Sequence, residues 1–197
     1  MDQIKLNLVG IRNQKVPAIL RSLDMVKDVL SWYVDWFPHM YDLAGTKLHG
    51  DSHWDVPRKW EHFINRNNFD IFILEAEERI QGYIILESNF KGFNGKPSIY
   101  IPFLAVAPWN RRSRKNQERN FKNIGKLLLS TAAMFGIYYN DSPVFELHSL
   151  PGAENFYRKE RMKETGKSKN NLKEFYMEKT EAFDLLRFLM TFLEGEE

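Results

Sequence analysis

Residues 101–108, Ile101-Pro102-Phe103-Leu104-Ala105-Val106-Ala107-Pro108, read as the end of a strand that a proline stops, and residues 123–128, Asn123-Ile124-Gly125-Lys126-Leu127-Leu128, as the opening of a helix. Between them lies a polar, basic stretch. From Arg111 to Lys126 there are seven basic residues (Arg111, Arg112, Arg114, Lys115, Arg119, Lys122 and Lys126) against the single acid Glu118, in a chain of net charge +2. Positive charge gathered in one short segment suits a polyanionic ligand. A helix N-terminus adds unpaired backbone N–H groups and a partial positive charge. A glycine in its first turn lets a phosphate approach the backbone. The residue types define a candidate anion cradle at the carboxyl end of a strand.

The chain on either side supplies the rest of the fold. Upstream, Ile71–Ala76, Ile80–Glu87 and Ile99–Val106 are strand-like runs, broken at Glu77-Glu78-Arg79 and between Lys91 and Pro97, where two glycines and a proline mark a turn. They predict an antiparallel meander. Downstream, Ile124, Leu127, Leu128, Thr131, Phe135 and Tyr138 share one helical face, and Val144–Leu150 is a further strand. A helix joining the strands 99–106 and 144–150 makes them a parallel pair with a right-handed crossover. Pro151-Gly152 opens a short helix to about Arg161, 167–171 reads as a hairpin loop, Leu172–Met177 as a last strand, and Phe183, Leu186, Met190 and Leu193 mark a terminal helix. Toward the N-terminus, Ile4–Val9 alternates as a strand. Pro17 then opens a helical pattern through Leu20, Leu23, Val26, Leu30 and Tyr33, broken at Pro38; 41–57 reads as a loop, and Arg58–Asn65 as a helix.

Two segments together resemble the GNAT superfamily of acyl-CoA N-acyltransferases. Val106-Ala107-Pro108 matches the family's strand end. Asn123-Ile124-Gly125 matches the Gly-x-Gly of its pyrophosphate loop, with Asn in place of the first glycine and Asn120 at the Gln/Arg position beside Arg119. Ala153, Phe156, Tyr157 and Lys159 fit the late helix Ala-x-x-Phe-Tyr-x-Lys, where Arg161-Met162 replace the usual Gly-Phe and Leu150 stands where an asparagine is common. The resemblance covers residues 70–177. It implies an α+β fold, the GNAT fold: a mixed central sheet, flanked by helices, with an antiparallel meander followed by a parallel pair. The chain is then one domain, with an acceptor-side region at 1–69, an acyl-CoA-binding core at 70–177 and a C-terminal helix at 178–197.

The resemblance further implies acetyl-CoA as co-substrate and direct acetyl transfer to a primary amine of a small molecule or protein. Leu104, Ala105 and Val106 are then candidates for polarising the thioester carbonyl through a backbone N–H. Arg119, Lys122, Asn123, Ile124, Gly125 and Lys126 are candidates for holding the pyrophosphate. Tyr157 takes the family's place for protonating the leaving thiolate, although a tyrosine there also packs its ring. His148 and Glu146 share one face of the strand before it and are candidate bases, with Glu75 and Glu87 as further carboxylates. The departures at Asn120 and Asn123 suggest an alternative, a non-catalytic or regulatory CoA-binding domain.

Composition narrows the remaining classes. The chain of 197 residues has no cysteine, which removes disulfides, thiolate catalysis and cysteine-held metals. The spacing of His39, His49, His53 and His62 matches no helix-borne metal motif, so no metal is expected. Trp32, Trp36, Trp54 and Trp60 suit a core or the wall of an aromatic acceptor pocket. The basic segment Arg111–Arg119 lacks interleaved aromatics, so no nucleic-acid partner is expected. No apolar run approaches the length of a membrane span, and the first fifteen residues lack the apolar core of a signal peptide, so a soluble, cytoplasmic protein without a membrane partner is expected. The Phe- and Met-rich terminal helix is a candidate for covering the core or for a homodimer contact.

Overall fold

A computed structural model describes residues 3–41, 50–111 and 120–193. Eight strands form one sheet: β1 Gln3–Val9, β2 Lys15–Ser22, β3 Phe69–Ala76, β4 Arg79–Lys91, β5 Pro97–Val106, β6 Phe145–Ser149, β7 Lys163–Lys169 and β8 Leu172–Met177, in the order β1-β2-β3-β4-β5-β6-β8-β7. Among the described residues five α-helices flank it: α1 Met25–Ser31, α2 Val56–Ile64, α3 Ile124–Asn140, α4 Glu154–Lys159 and α5 Lys179–Met190. Every neighbouring pair is antiparallel except β5 and β6, which run parallel as the helical crossover between them requires. No helix among the described residues is long and apolar enough to cross a membrane.

Each face of the sheet buries its own core. Leu6, Leu8, Leu20, Leu74, Ile84, Ile99, Phe145 and Phe175 pack beneath α3, α4 and α5. On the opposite face Trp32, Trp36, Trp60, Ile73, Tyr83, Ile85 and Ala105 form a second, aromatic-rich core with the segment after α1 and with α2. Helix α3 lies close on the sheet at Gly82, where a Cβ would come within 3.0 Å of the Ala105 carbonyl oxygen and 2.9 Å of a Leu128 methyl. A side chain at that point would push the helix off the strand.

Three expectations are corrected. The helical pattern from Pro17 is in fact β2 followed by α1, because Ala18 and Leu20 point inward with a period of two beside β1 and β3. Asp24 then caps α1, accepting the N–H groups of Val26 and Lys27 at 3.1 Å. The apolar residues that suggested the helix face, Val26, Leu30 and Tyr33, are exposed at 85%, 65% and 53%, whereas Asp28, Trp32 and Trp36 are buried. Asp28 tolerates burial through a bidentate pair with Arg21, at 2.7 and 2.9 Å. The expected loop at 167–171 is largely strand: β7 has no buried residue to reveal it, and only Asn170 and Asn171, both at positive φ, form the turn. In α5 the buried face is Ala182, Leu185 and Leu189, while Phe183 and Met190 are turned outward.

Candidate functional site

The parallel pairing of β5 and β6 covers only Ile99, Tyr100 and Ile101 against Phe145, Glu146 and Leu147. Beyond it both strands continue and separate. The cause lies in β5. Opposite β4, the step from Tyr100 to Phe103 is matched by the shorter step from Glu87 to Ile85, so β5 carries a bulge at Ile101-Pro102. Proline has no N–H to give to β6. The bulge also changes the face each side chain meets. Ile99 and Ile101 belong to the core beneath α3, but Phe103 and Ala105 belong to the aromatic core on the other side.

The gap so formed leaves β5 unpaired with β6 beyond Ile101, with Arg111 taking the Val106 carbonyl on that edge. The Ala107 N–H is donated to Gln81 O at 2.9 Å. Antiparallel alternation along the register Gly82↔Val106, Tyr83↔Ala105, Ile84↔Leu104 and Ile85↔Phe103 then turns the N–H groups of Ala105 and Phe103 toward β4. Those of Leu104 and Val106 face the gap. Of the three residues expected from sequence, Leu104 and Val106 therefore present donors there, and the Ala105 N–H belongs to the β4 ladder.

The start of α3 closes one end of this gap. Asn123 is its N-cap, in the left-handed region at φ 64°, and its side chain makes no capping bond. The first-turn N–H groups of Ile124, Gly125 and Lys126 have no carbonyl four residues back within the helix. Gly125 is wedged between the end of β5 and α4: a Cβ there would lie 3.5 Å from a Val106 methyl and 2.9 Å from the Phe156 ring. Packing alone therefore accounts for this glycine. Lys126 approaches Glu160 at 3.8 Å and lies over the Phe188 ring at 4.2 Å, so it fastens α3 to α4 and α5. Lys122 is exposed and donates to Asn13 Oδ1 at 3.0 Å. Arg119 lies outside the described residues, as do Arg112, Arg114, Lys115 and His49.

The neck of the basic segment is built from residues that carried no signal in the sequence. Gln81 Oε1 accepts both the Trp109 indole N–H and the Asn110 amide at 2.8 Å, and Asn110 Oδ1 accepts the Phe121 N–H at 2.9 Å. Arg111 donates to Val106 O at 2.5 Å and makes a bidentate pair with Asp51 at 2.6 and 2.8 Å. It is committed to the protein's own carboxylate. A buried Gln–Asn–Trp cluster of this kind has no periodicity and no motif, so only the assembled fold reveals it.

The candidate proton-handling residues lie on opposite faces of the sheet. Tyr157, on α4, is 8% exposed and packs against Phe156 and Phe175, and its phenol hydroxyl makes no hydrogen bond among the described residues. Burial holds its phenol well above the usual range, so it stays protonated at neutral pH. His148 and Glu146 point to the other face. His148 Nδ1 and the Tyr100 hydroxyl are hydrogen bonded at 2.9 Å, and Nε2 is 3.8 Å from Glu174 Oε2. Burial lowers the His148 pKa, with Glu174 acting in the opposite direction, so the imidazole is neutral near pH 7. Glu146 is 5% exposed and accepts the Phe93 N–H at 2.7 Å, which anchors the turn between β4 and β5. Burial raises its pKa, although that hydrogen bond opposes the shift. Glu75 is occupied elsewhere, bound by Arg21 and Lys27 at 2.5 and 2.7 Å. Burial alone would raise Glu75, but those two cations outweigh it and hold the carboxyl below its usual range.

Trp32, Trp36 and Trp60 are core residues, at most 2% exposed. Trp54 differs: it is half-buried, with its ring edge-on to Phe103 at 5.0 Å, and Lys59 Nζ lies 4.1 Å above the same Phe103 ring. The described histidines other than His148 contact aromatic rings: His39 against Trp109, His53 against Trp54 and His62 against Phe63.

Neither the protein-family models nor the curated proteins give a match to this chain. Solved structures do. An uncharacterized protein, bh2621 from Bacillus halodurans, superposes with a TM-score of 0.58 at 9% identity, over 96% of this chain and 100% of that one. The GNAT domain of PAT from S. lividans gives 0.54 at 10% identity, over 88% and 96%. A spermidine N-acetyltransferase, a SpeG chimera of Vibrio cholerae and hSSAT, gives 0.53 at 13% identity, over 85% and 98%. At these identities the likeness is one of fold.

Proposed function

We propose, for a chain that has the GNAT fold, direct transfer of an acetyl group from acetyl-CoA to a primary amine. The observation that carries this reading is the gap between β5 and β6, open from Pro102 onward and edged by the N–H groups of Leu104 and Val106, with the first turn of α3, whose N-cap Asn123 makes no side-chain capping bond, at its end. A pantetheine arm is a chain of two amides, and an unpaired strand edge is a natural partner for it. The helix start suits the pyrophosphate through N–H donors and dipole. The similarity to a solved spermidine N-acetyltransferase supports an amine acceptor.

Catalysis on this reading follows from the two faces. The amine arrives on the face of His148, whose Nε2 is the ring nitrogen not committed to Tyr100 and takes the amine proton, with Glu174 opposite to stabilise the imidazolium. Negative charge developing on the thioester oxygen is met by the Leu104 or Val106 N–H. As the carbon–sulfur bond breaks, the thiolate departs toward Tyr157, whose phenol supplies the proton. Amine and thiol stay on opposite sides of the sheet, which favours direct transfer over a covalent acyl-enzyme. Lys122 and the N–H groups at Ile124, Gly125 and Lys126 hold the phosphates, and we include Arg119 with them. We also propose a cytoplasmic location, where acetyl-CoA is available.

Calorimetric titration with acetyl-CoA, followed by a thiol-release assay against a panel of amines, tests the proposal. Saturable binding with amine-dependent thiol release supports it. Binding without turnover on any amine gives the non-catalytic alternative, and no binding removes both.

A further inference from the structure

One patch of the sheet is neither core nor solvent-facing surface in the ordinary sense. Cross-strand pairing sets Glu87 on β4 beside Tyr100 on β5, Tyr100 beside Glu146 on β6, and Glu146 beside Tyr176 on β8. One row further along β6, His148 is paired with Glu174. Paired residues share a face, so all six side chains lie on the face away from α3, at the point where β5 and β6 begin to separate. Phe93 stands over the row, edge-on to His148 at 5.3 Å, and Phe90 stacks on Tyr100 at 4.7 Å.

The row carries three carboxylates, and among the described residues none of them has a lysine or arginine in an ion pair. Glu87 accepts only the Asn68 amide at 3.3 Å. Glu146 is held by neutral donors. Glu174 is 9% exposed, its Oε2 facing His148, and its Oε1 is buried with no hydrogen-bond partner among the described residues. A buried carboxylate oxygen with no donor is costly. Burial also holds Glu87 and Glu146 above the ordinary carboxylate range, with the charge of Arg66 opposing it at Glu87 and the Phe93 hydrogen bond at Glu146. Each of these costs falls when a cation enters. The aromatic walls point the same way, since the faces of Phe and Tyr attract cations. On the far side of the bulge the position over Phe103 is already filled by Lys59. Among the described residues, a second positive charge on a bound ligand finds carboxylates without a cationic partner along this row, at Glu87 and Glu146.

We propose that this row is the acceptor subsite and that the acceptor is a linear amine with at least two ammonium groups, one reacting at His148 beside Glu174 and the other held by Glu87 and Glu146 on either side of Tyr100. The inference rests on the acetyltransferase reading for the reacting end alone. Glu87 and Glu146 stand two strands apart, about 10 Å between backbones, which suits an alkyl-spaced diamine better than a compact cation.

The test compares cadaverine and spermidine with pentylamine, a single-charge amine of cadaverine's chain length, in two measurements. In the thiol-release assay kcat/KM is expected to be at least about tenfold higher for the di- and triamine, with Glu87→Gln reducing the difference through KM. Equal use of pentylamine, or indifference to Glu87→Gln, overturns the proposal while leaving the acetyltransferase reading intact. In calorimetry without acetyl-CoA, spermidine is expected to bind the wild type and to bind Glu87→Gln more weakly. If thiol release is absent with every amine but this binding is seen, the catalytic reading fails and the cation site stands. Glu87 is half-exposed, so its isosteric variant is expected to fold, and a matched thermal unfolding curve checks this. No binding of spermidine and no preference in turnover together sink the subsite.

Discussion

At the scale of single residues, His148 and Tyr157 make predictions that differ in kind. His148 is neutral above its pKa, and burial sets that pKa below the ordinary histidine value of about 6.5. As a base it works only when neutral, so kcat/KM is expected to rise with pH through a midpoint below that value and then level off. His148→Ala should remove this limb and lower kcat by about a hundredfold or more; an unchanged pH–rate profile would exclude His148 as the base. The Tyr157 phenol, raised by burial, contributes no ionisation in the working range. Tyr157→Phe is therefore expected to lower kcat without altering the shape of the profile or the affinity for acetyl-CoA, as single-turnover and binding measurements would reveal. Both residues were named as candidates from the sequence, Tyr157 through a resemblance and His148 through strand alternation. Their partners were not. Tyr100 and Glu174 reach His148 only through pairing across β5, β6 and β8, and such registers are set by turns and bulges far apart in the chain.

At the scale of elements, the start of α3 separates two readings of one glycine. The sequence offered Gly125 as the place where phosphate meets backbone. In the fold its missing side chain is already required by Phe156 at 2.9 Å. Gly125→Ala is thus expected to cost about 1–3 kcal/mol of stability through overpacking, measurable by denaturant unfolding, and is a poor probe of ligand binding. Asn123 is the better probe. It is exposed, left-handed and not hydrogen bonded through its side chain. Aspartate tolerates the same backbone and favours a helix N-terminus, so Asn123→Asp should keep or slightly raise the melting temperature. Its added negative charge should nevertheless weaken acetyl-CoA binding by about tenfold or more. Unaltered affinity in a stable Asn123→Asp protein would mean that the pyrophosphate lies elsewhere. Elements with buried faces were readable, β3, β4, β5 and β6 as apolar runs between turn signals and α3 from helical spacing. β7 was not, because a strand whose side chains all meet water has no reason to alternate. β2 was misread because Leu20 serves equally a period of two and the helical spacing that continues through Leu23 and Val26.

At the scale of the whole molecule, two cores on one continuous sheet should unfold together, and the tryptophans report on how each serves. Trp60 is fully buried, its ring edge-on to Trp32 and to Tyr83 at 6.1 and 5.4 Å. Truncating it leaves a large void in the aromatic core, so Trp60→Ala is expected to lose about 3–5 kcal/mol while the surviving folded fraction keeps its KM for the amine. Trp54 occupies a different position. It is half-buried and touches Phe103, the residue the β5 bulge swings from one core to the other, beside the opening of the gap. Trp54→Ala is expected to cost little stability and to raise the acceptor KM several-fold with the acetyl-CoA affinity unchanged. The composition of the chain gave these two residues the same standing. What divides them is the bulge at Ile101-Pro102: by ending the β5–β6 pairing it opens the gap, and by turning Phe103 over it carries the aromatic core to the edge of that gap. If Trp54→Ala altered unfolding as much as Trp60→Ala and left amine kinetics untouched, the aromatic core would be purely structural, and the acceptor would have to be positioned from the Glu87–Glu174 side alone.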